Sequence, residues 1–253
     1  MKAFRAKTEI LPEVQRQLWP ELAPSARLGF VLYGGTAIAL HLGHRQSVDF
    51  DFFTDKPLNK DEIKKAFSFY RNSTVIQDKV NALTLRVRTD KETVAVSFFG
   101  EISFGRVEDP LLTSDGILQV ASLGDLFALK LKVIHQRAEK KDYIDIAALI
   151  TSGQSLGKAI ATAEVMFHPD FQPTIALKAL TYFDDGELQS LPQDTKKLLI
   201  DSALKVRVLP HLQIKDKSLA ITTPAKTNPL NVVKNLGHRP PEAPPKDHGE
   251  MEL

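Results

Sequence analysis

The sequence predicts an α/β (α+β) fold in which a small mixed sheet carries packed helices and is followed by a helical C-terminal part. Three observations point there. An apolar run at 30–33 stops at Gly34-Gly35 and passes into a helix-like stretch, 36–42. Val48-Asp49-Phe50-Asp51-Phe52-Phe53 then alternates with the period of a strand. Beyond residue 120 the apolar residues recur at helical spacing. A length of 253 residues suits one substantial domain with an appendage, or two small domains. The division expected is a sheet-containing core over 1–153, a helical region over 154–222 and a proline-rich tail over 223–253.

Taken in order, Ile10, Leu11, Val14, Leu18 and Trp19 predict an amphipathic first helix that ends near Pro20 and covers one side of the core. The strand, glycine turn, short helix and strand of 29–53 follow. Residues 57–69 read as a charged surface helix, capped by Asn59 and burying Ile63 and Phe67. Two strands come next. Residues 82–88 alternate Leu83, Leu85 and Val87 against Thr84, Arg86 and Arg88, whereas 93–99 are apolar on both faces and therefore more central. Ser122-Leu-Gly-Asp125 opens a helix that runs to about Gln136 and carries Lys130 and Lys132. After a basic break at 137–141, Asp142-Tyr-Ile-Asp145 starts another helix, ended by Gly153. Helices are also expected at 174–182 and 194–209, the latter stopped by Pro210. From residue 224 six prolines and few large apolar residues make a flexible tail.

Composition excludes several classes of function. The chain has no cysteine, so it has neither a disulfide framework nor a thiolate metal site. A net charge of +2 is too small to argue nucleic-acid binding from charge alone. The first residues lack the apolar core of a signal peptide, and no apolar run reaches membrane-spanning length, so a cytoplasmic protein without membrane partners is expected.

The chemistry concentrates between Gly34 and Phe53. Glycines at a strand-to-helix turn let backbone amides approach a ligand, and the unpaired N–H groups of the helix start favour anions. On a period-two strand Asp49 and Asp51 share one face while Phe50 and Phe52 point into the core. Two such acids lie about 7 Å apart and repel each other. A hard divalent cation with oxygen ligands, typically magnesium carrying a nucleotide's phosphates, compensates them. Lys130, a charge within an apolar helix, is a candidate phosphate ligand, its alternative being a lysine that reaches out to solvent. Arg45, just ahead of the acidic strand, either steadies a phosphate or pairs with an aspartate. Asp142 either caps its helix or joins the site; Asp145 is the stronger candidate, with burial against Arg137 or Lys141 as its structural alternative. His41, His44 and His135 form no convincing ligand cluster.

The segment Gly34-Gly-Thr-Ala-Ile-Ala-Leu-His-Leu-Gly-His-Arg-Gln-Ser-Val-Asp-Phe-Asp-Phe-Phe53 resembles the signature of the nucleotidyltransferase superfamily. It is especially similar to the AbiEii/AbiGii toxin branch of bacterial abortive-infection and toxin–antitoxin proteins. Lys130 with Arg137 and Lys141-Asp142-Tyr-Ile-Asp145, and Lys178 through Asp185, agree with it, so the resemblance spans about 10–210. It implies that the glycine turn, Gly34-Gly35-Thr36, holds the triphosphate of an NTP and that Asp49 and Asp51 bind magnesium, with Arg45 and Lys130 as the candidate phosphate ligands beside it. The reaction it implies is transfer of a nucleoside monophosphate to an acceptor. That acceptor is expected to be RNA or protein, and a cognate antitoxin is expected as partner. The superfamily's third carboxylate falls on Ser97 here, which favours one metal ion over two and leaves Asp145 as the preferred catalytic base, ahead of Glu101. Two alternatives remain open: a nucleotide-binding pseudoenzyme, and a small-molecule transferase of the aminoglycoside-modifying kind.

Overall fold

Alternation at 49–53 and 82–99 becomes the centre of one mixed sheet. The computed structural model describes residues 2–88 and 92–221; the tail expected over 223–253 lies outside the described residues. The strands are β1 (Ala3–Phe4), β2 (Val31–Tyr33), β3 (Asp49–Phe53), β4 (Ser73–Lys79), β5 (Ala82–Arg88), β6 (Thr93–Phe99), β7 (Leu111–Thr113) and β8 (Gln119–Val120). The helices are α1 (Glu13–Leu18), α2 (Pro24–Arg27), α3 (Gly34–Leu42), α4 (Lys60–Ala66), α5 (Leu123–Ile134), α6 (Lys140–Thr151), α7 (Leu156–Met166), α8 (Pro173–Thr181) and α9 (Gln193–Lys205). The sheet order is β1-β7-β8-β2-β3-β6-β5-β4. The pairing of β3 with β6 is parallel, while β2 with β3 and β5 with β6 are antiparallel.

The period-two pattern decides what each face of this sheet does. Phe50 and Phe52 are fully buried, and Phe98 of β6 stacks on Phe52 with ring centroids 5.5 Å apart. Phe67, at the end of α4, closes over Phe98 at 5.1 Å, so this face is the apolar core. Asp49, Asp51 and Phe53 leave from the opposite face, toward α5 and a cavity.

Local capping sets the helices. Asn59 accepts a hydrogen bond from the Glu62 amide and Ser122 from the Asp125 amide, as their positions ahead of charged first turns lead one to expect. The first helix is shorter than expected: α1 gives way at Trp19 to a 3₁₀ turn with Pro20 at its start. Helix α9 likewise ends at Lys205, five residues before Pro210. Strand β4 was not legible, because most of its residues are exposed and its apolar residues do not alternate. Strands β1, β7 and β8 are two or three residues long, too short to carry a period. Helix α7, which packs against α5, was not placed either; five of its eleven residues are Gly, Ala or Thr, which blur the apolar stripe. Among the described residues no helix is long and apolar enough to cross a membrane.

Candidate functional site

Antiparallel pairing of β2 with β3 sets Tyr33 opposite Asp51 and so brings the glycine turn against the acidic strand. Gly34 has φ +79°, and a Cβ there would stand 2.5 Å from Asp51 Oδ2. A Cβ on Gly35 would stand 2.7 Å from Arg45 Nη2 and 2.9 Å from Ser47 Oγ. A side chain at Gly34 would combine a left-handed φ with a clash on Asp51, one at Gly35 would have to displace Arg45 and Ser47, and the first amides of α3 border the space in front of the acids. Thr36 is buried, and its hydroxyl donates to the Asp49 carbonyl, tying the helix start to β3.

Gly34, Gly35, Arg45, Ser47, Asp49 and Asp51 line a cavity of about 370 Å³ together with Lys130, Arg137 and Lys141 on the helical side, while the Thr36 side chain is not part of its lining. A larger hollow of about 920 Å³ beside α4, lined by Lys64, Lys65 and Arg71, holds no paired acids and no glycine turn. The cavity's acids are short of counter-charge. Asp51 is pushed up to about 6, first by burial and then by the charge of Asp49, against the pull of Lys130, Lys141 and Arg137. Burial also raises Asp49, with Lys141 opposing. Paired hard oxygen donors that the protein leaves under-compensated are a donor set that fits one hard divalent cation. Among the described residues no group of three or more His, Cys, Asp or Glu is arranged to hold a metal ion.

A second acid pair lies behind the cavity on α6, where Asp142 and Asp145 are both fully buried. Asp145 accepts from Arg45 Nε and Nη2 at 2.6 and 2.8 Å, from His44 Nε2 at 2.7 Å, and faces Lys130 Nζ at 2.6 Å. Burial alone would raise its pKa, but the bonds from His44 and Arg45 and the charge of Lys130 outweigh burial and hold it well below the usual carboxylate range. Lys130 reaches Asp142 Oδ1 as well, at 2.7 Å, and Arg137 Nε donates to Asp142 Oδ2 at 3.0 Å. The helical partners foreseen for Asp145, Arg137 and Lys141, are thus not the ones it takes. Arg137 pairs with Asp142 instead, and Lys141 with Glu139.

On β6, Ser97 stands in register with Asp51, and it accepts a hydrogen bond from Thr84. Glu101, beyond the strand's end at φ 53°, accepts from Asn81. His41 bonds the Ala121 carbonyl at 3.0 Å and is lowered to about 4 by burial, and His135 stacks on Phe171. Sequence reading passed over Arg137, Lys141, Gln46 and Ser47 as cavity residues. The basic break at 137–141 was the available signal. An apolar wall of Phe53, Phe99, Leu129 and Val133 completes the cavity; the parity of Phe53 with the two acids is its one local signal.

An uncharacterised protein of Aquifex aeolicus (strain VF5) is 30% identical over 160 residues, covering 62% of this chain and 75% of that protein. A crystal structure assigned as a nucleotidyltransferase from H. pylori superposes with a TM-score of 0.51 at 18% identity, covering 76% of this chain and 93% of its own. The nucleotidyltransferase toxin MenT4 from Mycobacterium tuberculosis H37Rv aligns at 14% identity with a TM-score of 0.40, over 74% of this chain and 90% of its own. The family described as nucleotidyl transferase AbiEii toxin, type IV toxin–antitoxin system, matches residues 21–207, which include the glycine turn, both acid pairs and Lys130. With most of its length inside that match, the chain belongs to the AbiEii nucleotidyltransferase toxin family.

Proposed function

We propose that the protein transfers a nucleoside monophosphate from a magnesium-bound NTP to an acceptor on RNA or protein, with pyrophosphate leaving. The observation that carries this reading is the contact of Gly34 with Asp51, which sets helix-start amides and a paired acid around one cavity. Asp49 and Asp51 would hold the ion, whose charge would neutralise the reacting phosphate oxygens. Gly34, Gly35 and the start of α3 would take phosphate oxygens through backbone N–H groups. Arg45 and Lys130 would add positive charge from fixed positions.

Asp145 is better suited to position those two cations than to accept a proton. Its oxygens are already engaged, and its pKa lies below the range in which a carboxylate works as a base near neutrality. It remains essential on this reading, because without it Arg45 loses its carboxylate anchor and Lys130 keeps only Asp142. Arg86 supports a polyanionic acceptor. It is exposed on the face that carries the acids, in one row with Ala95 and Asp49. A cytoplasmic setting and a cognate antitoxin partner complete the proposal. Incubating the protein with each labelled NTP, magnesium, total RNA and cell lysate, followed by mass spectrometry, tests it. A nucleotide adduct on RNA or protein is expected, and magnesium-linked NTP binding without any adduct would favour the pseudoenzyme, to which Ser97 beside Asp51 lends weight.

A further inference from the structure

The cavity has two chemically different ends, one charged and one apolar. Going along β3 and β6 on the cavity face, the rows read Asp49 beside Ala95, Asp51 beside Ser97, then Phe53 beside Phe99. The last row lies about 7 Å beyond Asp51. Its two rings meet edge to face, 5.3 Å apart at 86°, and Tyr33 backs Phe53 in a stack at 4.9 Å. Phe50, Phe52 and Phe98 on the opposite face are fully buried, whereas Phe53 and Phe99 stay half-buried and open into the cavity. Leu129 and Val133, one turn apart on α5, line the same space. Apolar surface inside a charged cavity is unfavourable to hydrate, and a flat group with an apolar face suits it.

We infer that Phe53, Phe99, Leu129 and Val133 form the slot for the base of the nucleotide whose phosphates lie at Asp49 and Asp51. This rests on the phosphate and metal reading above. None of the four side chains can donate or accept a hydrogen bond through a polar atom, so the slot holds a base by its faces and does not read its edge. Selection then follows ring area. ATP and GTP bind alike, and both bind more tightly than CTP and UTP.

Calorimetric titration of the full chain with each of the four NTPs and with inorganic tripolyphosphate, all with magnesium, tests the slot. Tripolyphosphate is expected to bind, but about tenfold or more weaker than ATP, the difference being the stacked base. Phe99→Ala should lower NTP affinity by about tenfold and leave tripolyphosphate affinity unchanged. Val133→Ala provides a milder variant should Phe99→Ala lose its fold by circular dichroism, and the comparison of ligands on the wild type needs no variant. NTPs that bind no tighter than tripolyphosphate, or a preference for CTP and UTP, would overturn the slot while leaving the phosphate site intact. Binding of neither tripolyphosphate nor any NTP would overturn the phosphate site, and the slot with it.

Discussion

Two pairs of aspartates, both from motifs legible in the sequence, sit on either side of Lys130 and are treated in opposite ways. Asp142 and Asp145 are fully buried, yet they share Arg45, Lys130, Arg137 and His44 at hydrogen-bonding distances. Asp51 is half-buried and Asp49 exposed, but among the described residues neither is given an ion pair, and both have raised pKa values. The desolvation cost of the first pair is met within the protein, and that of the second is left for a ligand. The inner pair thus builds the cationic wall, and the outer pair presents the vacant negative charge.

The comparison breaks most visibly at Asp145. Asp145→Ala would leave Arg45 and Lys130 without their main acceptor in a buried setting, and a loss of about 3–5 kcal/mol is expected. For a chain of this size that lowers the melting temperature by roughly 10 °C. Nucleotide affinity should fall with it, since Arg45 would be free to move and Lys130 would be held by Asp142 alone. A variant as stable as the wild type, with intact nucleotide binding and no turnover, would instead restore Asp145 as the catalytic base.

The opposite result is expected for Asp51→Asn. Removing one of two repelling, half-desolvated charges should leave the stability of the metal-free protein unchanged or slightly raised. Magnesium-linked NTP binding should drop by more than about tenfold, because one of two hard ligands is gone. If calorimetry found magnesium-linked binding undiminished, the outer pair would not be the metal site.

The outer pair should also be visible in the pH dependence of stability. With a folded pKa of about 6 against an ordinary 3.8, Asp51 makes the folded chain the tighter proton binder between about pH 4 and pH 6. Its contribution to stability is therefore present at low pH and is lost as pH rises through that window. Asp125, raised to about 7 by burial while accepting from the Val107 and Glu108 amides, extends the trend toward neutrality. Asp145, lowered, acts in the opposite sense only below its ordinary value near 3.8, whereas His41, lowered to about 4 by burial, opposes the trend between about pH 4 and pH 6.5. The part due to Asp51 is read by comparison: from pH 5 to pH 7 the melting temperature of the metal-free wild type should fall relative to that of Asp51→Asn. Magnesium should recover the part due to Asp51 at pH 7 and do little at pH 5. An equal magnesium shift at both values would show that the ion does not share Asp51's proton site.

How much of this was legible follows from how local each signal is. The glycine turn and the alternating acids declare themselves within twenty residues, because a turn and a period of two are properties of neighbouring positions. The sequence also marks Asp145 as a buried acid, but its partners His44 and Arg45 lie a hundred residues away, where no periodicity connects them. A base and an anchor look identical until those partners are in place. The Phe53 and Phe99 wall was hidden for another reason. Along β3 the parity of Phe53 with the acids puts it on their face, but only the parallel register of β3 with β6 sets Phe99 beside it and makes a wall.

The smallest effect expected is that of Ser97→Asp, and it probes the outer pair most finely. Ser97 is in register with Asp51 on a neighbouring strand, so the two side chains leave the same face about 5 Å apart. A carboxylate there would retain the hydrogen bond now donated by Thr84 and would add a third negative charge. Without metal, the added repulsion should raise Asp51 further and cost about 1 kcal/mol at pH 7, a few degrees in melting temperature. With magnesium, the same carboxylate becomes an additional oxygen ligand, so the penalty should vanish and magnesium affinity should rise. Turnover should stay unchanged or increase. A penalty that persists at saturating magnesium would mean that the ion lies nearer Asp49 than the β6 row. Turnover that appears only in Ser97→Asp, with none in the wild type for any acceptor tried, would identify the natural chain as a nucleotide-binding pseudoenzyme.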